Sequence, residues 1–207
     1  MDDQTPSAFD PARAAQISRR NLPHWRQDAA IYFVTFRLAD SLLAQKLHAW
    51  RAQCDQWLAR NPKPHSPAQG AEYRAHWEER IDAWLDAGHG ACALRDVAAQ
   101  TIVEDALRFF DTKRYRLGEF VVMPNHVHAL VMPMGGHDLS SILHSWKSFT
   151  ANQINRRLGR VGALWQDESF DHIIRDDESL AATMRYIREN GMHLSPTDFR
   201  LGCGSLT

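Results

Sequence analysis

The run AIYFVTFRL, residues 30 to 38, alternates Tyr32, Val34 and Phe36 with Phe33, Thr35 and Arg37, and it is dense in β-branched and aromatic residues. That period of two predicts a strand with both faces largely covered. Leu43, Leu47, Trp50, Cys54 and Trp57 then recur at steps of three and four, the spacing of one helix face, so a helix is expected over 41 to 60. Three prolines in NPKPHSPAQG, residues 61 to 70, deny its continuation, and Tyr73, Trp77, Ile81 and Trp84 resume the helical period beyond them. Two Trp-bearing helices thus face each other across a linker, and a third, from 95 to 110, carries Val103, Leu107 and Phe110.

Strand character returns in RYRLGEFVVM (114 to 123) and HVHALVMP (126 to 133). Only Pro124 and Asn125 separate them, both turn formers, which predicts an antiparallel hairpin. Leu139, Ile142, Leu143, Trp146, Phe149, Ile154 and Leu158 draw the next helix, with Asp138 as its N-cap and Gly159 ending it. A short strand is expected over 168 to 174, then a last helix from Asp176 or Asp177 to Asn190, before Gly191. The order strand, helices, two strands, helix, strand, helix implies an α+β sandwich, one antiparallel sheet with helices packed on one face. Residues 1 to 20, with Pro6, Pro11 and scattered charge, read as a flexible arm. Residues 21 to 195 read as a single domain with a helical insertion at 41 to 110, and 196 to 207 as a tail.

Composition narrows the function classes. Seven Trp and nine Phe among 207 residues are enough for one packed core. Cys54, Cys92 and Cys203 are far apart, odd in number and form no CxxC pair, which argues against a disulfide framework or a cysteine zinc site and fits a reducing cytoplasm. No stretch approaches the ~20 apolar residues that span a bilayer, so no membrane partner is expected. A net charge of -1 sets aside the strongly basic nucleic-acid binders, and any DNA site must be a local patch. Lys147, Arg156, Arg157 and Arg160, in a stretch from 144 to 160 without Asp or Glu, form one candidate. A solvated helix face accounts for the same residues.

The first chemical constellation is His126-Val127-His128. On a strand, both imidazoles share one face, about 6 to 7 Å apart along the chain, and can converge on one metal ion while Val127 points into the apolar layer. With eleven histidines, such a pair also arises readily by chance. Two imidazoles rarely complete a catalytic metal site, so further donors are needed. Tyr186 and Asn190, four apart on the last helix, border the Leu180, Met184, Ile187 stripe without belonging to it. A phenol beside a metal-bound phosphate is a reasonable nucleophile. Equally, Tyr186 reads as an amphipathic residue at a helix edge, and Asn190 before Gly191 as a helix terminator.

Taken together, VVMPNHVHALVMP, ILHSWKSFTANQINRRLGRVGALWQDESFDHIIRD and MRYIREN resemble the REP-associated tyrosine transposases. These are a branch of the single-tyrosine HUH transposases, named for a His-hydrophobic-His signature. LPHWRQDAAIYFVTFRLADSL and RDVAAQTIVEDALRFFDTKRYRL resemble the family's N-terminal half, so the likeness runs over residues 20 to 191. It implies a ferredoxin-like core, His126 and His128 binding Mg²⁺ or Mn²⁺, Asn190 as a third ligand and Tyr186 as the nucleophile. The implied reaction is metal-dependent cleavage and rejoining of single-stranded DNA at palindromic, REP-type hairpins through a 5'-phosphotyrosine.

On that reading Lys147, Arg156 and Arg157 lie on phosphates, and Trp165 is available for stacking a base. Two positions depart from the family: Gly191 stands where Pro is usual, and Ser169 where aromatics are frequent. Two other readings use the same residues, a domesticated hairpin-binding protein without turnover and a metal hydrolase that activates water. A monomer and a homodimer are both compatible, because related insertion-sequence transposases build composite sites in dimers.

Overall fold

In the computed structural model, which describes residues 16–19, 23–26, 30–41, 44–62, 66–73, 84 and 88–206, the chain opens with a ribbon of β1 (Gln16–Arg19) and β2 (Pro23–Arg26). The end of the expected arm is therefore paired, and residues 1 to 15 lie outside the described residues. Next come β3 (Tyr32–Arg37), α1 (Ala44–Arg60) and α2 (Pro67–Tyr73). Most of the second Trp-bearing helix falls outside the described residues; what is described packs Trp50 and Cys54 against Trp57, Leu58, Tyr73 and Trp84. The remaining elements are α3 (Val97–Arg108), β4 (Tyr115–Val122), β5 (His126–Pro133), α4 (Leu139–Leu158), β6 (Phe170–Ile173), α5 (Asp177–Asn190) and β7 (Arg200–Cys203). No helix of the described residues is long and apolar enough to cross a membrane.

The other five strands form one antiparallel sheet of order β6-β3-β5-β4-β7. Its first four are joined as β3-α3-β4-β5-α4-β6, with α1 and α2 inserted before α3, which is the ferredoxin-like arrangement. Pro124 and Asn125 make the hairpin turn between β4 and β5, closed by Met123 N–H donating to the His126 carbonyl at 2.9 Å. Helix ends follow local chemistry. Asp138 caps α4 through Ser141 N, Gly159 ends it in the left-handed region at φ 61°, and Asp176 forms a capping box with Ser179 at the start of α5.

Strand alternation divides the interior into two layers. Tyr32, Val34 and Phe36 of β3 and Val127, Ala129 and Val131 of β5 face α3 and α4. A buried hydrogen-bond chain joins that layer, with Trp146 Nε1 donating to Tyr115 Oη at 2.8 Å and Tyr115 Oη donating to the Leu107 carbonyl at 2.7 Å. Each apolar side chain fully buried contributes about 1.5–3 kcal/mol, so a one-residue slip that turned these out would be severely penalised. The opposite face carries Ile31, Phe33, Val121, Leu130 and Met132, and there α5 packs with Ile187, Leu180 and Met184. Helices therefore occupy both faces, not one. With α3 and α4 filling the first layer, the second would stand open without the stripe of α5.

The segment expected as a tail, 196 to 207, is instead structural. β7 pairs antiparallel with β4, Arg108 Nη1 donates to the Cys203 carbonyl at 2.7 Å, and Arg116 Nη2 donates to the Ser205 carbonyl at 2.7 Å. Phe199 and Leu206 pack into the α5 layer. This accounts for Gly191 at the exit of α5: a β-carbon there would clash with the Phe199 ring.

Candidate active site

The period of two on β5 places His126 and His128 on the α5 face, opposite Val127. They are 1% and 0% exposed, and their rings stand 4.6 Å apart between centroids at 74°. Each is fixed through Nδ1. His126 Nδ1 lies 2.8 Å from Asn125 Oδ1, while the Asn125 amide nitrogen donates to the His89 carbonyl at 3.2 Å. That second bond orients the amide, so the oxygen faces the ring, Nδ1 carries the proton and Nε2 keeps a free lone pair. His128 Nδ1 lies 2.8 Å from Thr35 Oγ1, its cross-strand partner on β3, and Phe33 stacks on the ring at 5.2 Å.

Tyr186 reaches this pair from α5. Its hydroxyl lies 3.3 Å from His128 Nε2, within the same chain, and its ring meets Phe33 edge-on at 6.0 Å. One helical turn on, Asn190 is 7% exposed. The buried lone-pair atoms His126 Nε2 and Asn190 Oδ1 have no hydrogen-bond partner. Leaving such an acceptor unpaired costs about 1–3 kcal/mol, a cost that a cation or substrate donor removes. Among the described residues no cluster of three His, Cys, Asp or Glu could hold a metal ion.

Burial keeps both imidazoles neutral. It pulls His128 from 6.5 to about 3; at His126 burial, then His128 and the buried Arg37 opposite on β3, push the pKa well below the usual value. Neutral rings are the form that binds metal. The unfolded chain takes up the His128 proton near pH 6.5 while the folded ring stays neutral to about pH 3, so stability is full above that window and falls as pH drops through it. At pH 5 this ring alone removes about 2 kcal/mol. Urea unfolding at pH 7 and pH 5 is expected to show a smaller difference for His128→Gln than for wild type; equal differences would contradict a ring buried neutral.

The expected DNA contacts fare differently. All sit on α4 or just beyond it, and α4 packs on the sheet face away from the histidines. Trp165 is 5% exposed, meets Phe36 edge-on at 4.9 Å and donates from Nε1 to Thr150 Oγ1 at 2.8 Å; it is a core residue and not a stacking platform. Arg157 makes two bonds to Asp96, the N-cap of α3, at 2.9 and 3.3 Å, which spend its charge on joining two helices. Lys147 Nζ donates to the Asp167 carbonyl at 2.7 Å and approaches Ser169 Oγ, itself buried, at 3.5 Å. Arg156 is exposed in the last turn of α4. Thr35 and Asn125, which orient the histidines, were not singled out from sequence as site residues; Asn125 was legible only as a turn former.

Comparison with known proteins adds to this geometry. Residues 94–190 match the family model described as Transposase IS200 like. An uncharacterized protein of Haemophilus influenzae is 27% identical over 36% of this chain and 53% of its own length, so the chain spans about half of that curated relative. A solved structure of a REP-associated tyrosine transposase bound to a REP hairpin aligns over 90% of this chain and 94% of that one, at 16% identity and a TM-score of 0.38. The matched segment holds the histidine pair, α5 with Tyr186, and Asn190 as its final residue. Residues 94–190 are thus similar to the IS200-like transposases.

Proposed function

We propose that the chain cleaves and rejoins single-stranded DNA through Tyr186, as a transposase of the REP-associated tyrosine type. The observation that carries this reading is the Tyr186 hydroxyl 3.3 Å from His128 Nε2, on a face where His126 Nε2 and Asn190 Oδ1 lie buried without protein partners. His126, His128 and Asn190 would hold a divalent ion, and two imidazoles with an amide oxygen suit Mn²⁺ or Mg²⁺ with positions left for water and phosphate oxygens. Such an ion, when bound, neutralises phosphate charge and eases attack on phosphorus.

The chain's own residues do the rest. Thr35 and Asn125 hold the imidazoles through Nδ1, so both Nε2 atoms face the reaction. Phe33 backs His128 and Tyr186 together. The Tyr186 oxygen attacks a DNA phosphate in line, giving up its proton; the P–O3' bond breaks and the departing 3'-hydroxyl is protonated, leaving a 5'-phosphotyrosine. Attack by another 3'-hydroxyl reverses the exchange and frees the tyrosine without ATP. The sequence resemblance supports hairpin DNA of palindromic repeats as the substrate class. Incubating the protein and Mn²⁺ with an oligonucleotide bearing a hairpin and a single-stranded flank is expected to give a denaturant-resistant protein–DNA adduct. Cleaved product without adduct would favour hydrolysis by water, and retardation without cleavage a binding protein.

A further inference from the structure

α5 carries Tyr186 and Asn190, so its rotation about its own axis decides whether the phenol meets His128. Its contact with the sheet is an apolar stripe of Leu180, Met184 and Ile187, and apolar packing has little directional preference. One polar tie stands on the other side of that stripe. Ile187 lies about 100° around the helix from Tyr186, and Arg188 about 100° further. Arg188 forms an ion pair and hydrogen bond with Glu119 on β4, while Tyr186 reaches β5 and β3. Because β5 lies between β3 and β4, the two contacts hold the helix on opposite flanks.

The sheet is shaped to make this tie. Between Leu117 and Phe120 the β4–β5 register shifts, a bulge that leaves both in the α3–α4 layer and turns Glu119 towards α5. The Glu119 side chain is 8% exposed against 58% for Arg188, so the carboxylate is the fixed post and the guanidinium closes on it.

We propose that Arg188 and Glu119 are positioning residues that set the roll of the tyrosine helix, an inference that rests on the role given above to Tyr186 and Asn190. A phenol oxygen roughly 8 Å from a helix axis moves about 1.4 Å for a roll of about 10°, and a misplacement of about 1 Å can cost about 100-fold in rate.

The test compares wild type with Glu119→Gln, close in shape, and Arg188→Gln, whose side chain is largely in solvent. Three readouts apply: the ring-to-ring nuclear Overhauser effect between Tyr186 and His128, Mn²⁺ affinity by calorimetry, and single-turnover cleavage of the hairpin oligonucleotide. Both variants are expected to lose the ring-to-ring signal, bind Mn²⁺ several-fold more weakly and cleave about 10- to 100-fold more slowly, with KM for the oligonucleotide within twofold of wild type. Arg188→Lys, which keeps the cation, is expected to recover most of the rate. A lowered melting temperature with the ring-to-ring signal and Mn²⁺ affinity intact would overturn the proposal, as would a change confined to KM. If wild type forms no adduct yet the variants lose the ring-to-ring signal, the positioning role stands and the transposase reading fails.

Discussion

Tyr186→Phe is expected to eliminate the protein–DNA adduct and to lower single-turnover cleavage by on the order of 10⁴-fold or more, the scale seen when a covalent nucleophile is removed. The change deletes one oxygen. The ring keeps its edge contact with Phe33 and its place beside the stripe of α5, so folding and hairpin binding should match wild type within about twofold. Denaturing gels read the adduct, and a filter assay reads binding on the same preparation. Cleavage within tenfold of wild type would mean that another group attacks the phosphate.

His126→Ala is expected to have the next largest effect. Its Nε2 is a buried acceptor left without a partner in the layer that holds Tyr186, and removing it should weaken Mn²⁺ binding by at least about 100-fold and abolish metal-dependent cleavage. Asn125→Ala leaves that nitrogen in place and removes the acceptor that orients the ring, together with the amide's bond to the His89 carbonyl, so a smaller loss, about tenfold, should follow. Titration calorimetry with Mn²⁺ separates the two, and circular dichroism checks that both variants fold. Unchanged affinity in His126→Ala would show that the ion binds elsewhere.

Much of the fold is legible because the elements are long and their periods clean. The alternation in AIYFVTFRL and HVHALVMP matches β3 and β5, and the stripe from Leu139 to Leu158 matches α4 with its caps at Asp138 and Gly159. The period of two also puts both histidines on one face without any tertiary information. Which face α5 would take is not written locally: its stripe says only that it covers something, and the choice follows once α3 and α4 have filled the first layer. The last strand was missed because RLGC is four residues long, with a glycine and no clear alternation, and its pairing with β4 is a long-range event.

The surroundings of Trp165 and Arg157 have a similar cause. Trp165 sits in a polar stretch, yet its isolated bridge to Leu38 draws the indole beneath Phe36. Arg157 looks like a free cation until α3 brings Asp96 against it from 61 positions away. Thr35 is an unremarked strand residue in sequence, and only the β3–β5 register sets its hydroxyl against His128. Residues that do chemistry have distinctive types, whereas residues that orient them are common types whose role is conferred by register.

The most direct measurement is to trap the adduct with a hairpin oligonucleotide and Mn²⁺, digest both components and locate the modified residue by mass spectrometry. The chain has four tyrosines, and of these Tyr32 and Tyr115 are 2% and 1% exposed in the core while Tyr73 belongs to the α1–α2 cluster. The expected result is a nucleotide joined through its 5'-phosphate to Tyr186 alone. A phosphate found on any other residue, or on none while the strand is cut, would contradict the account.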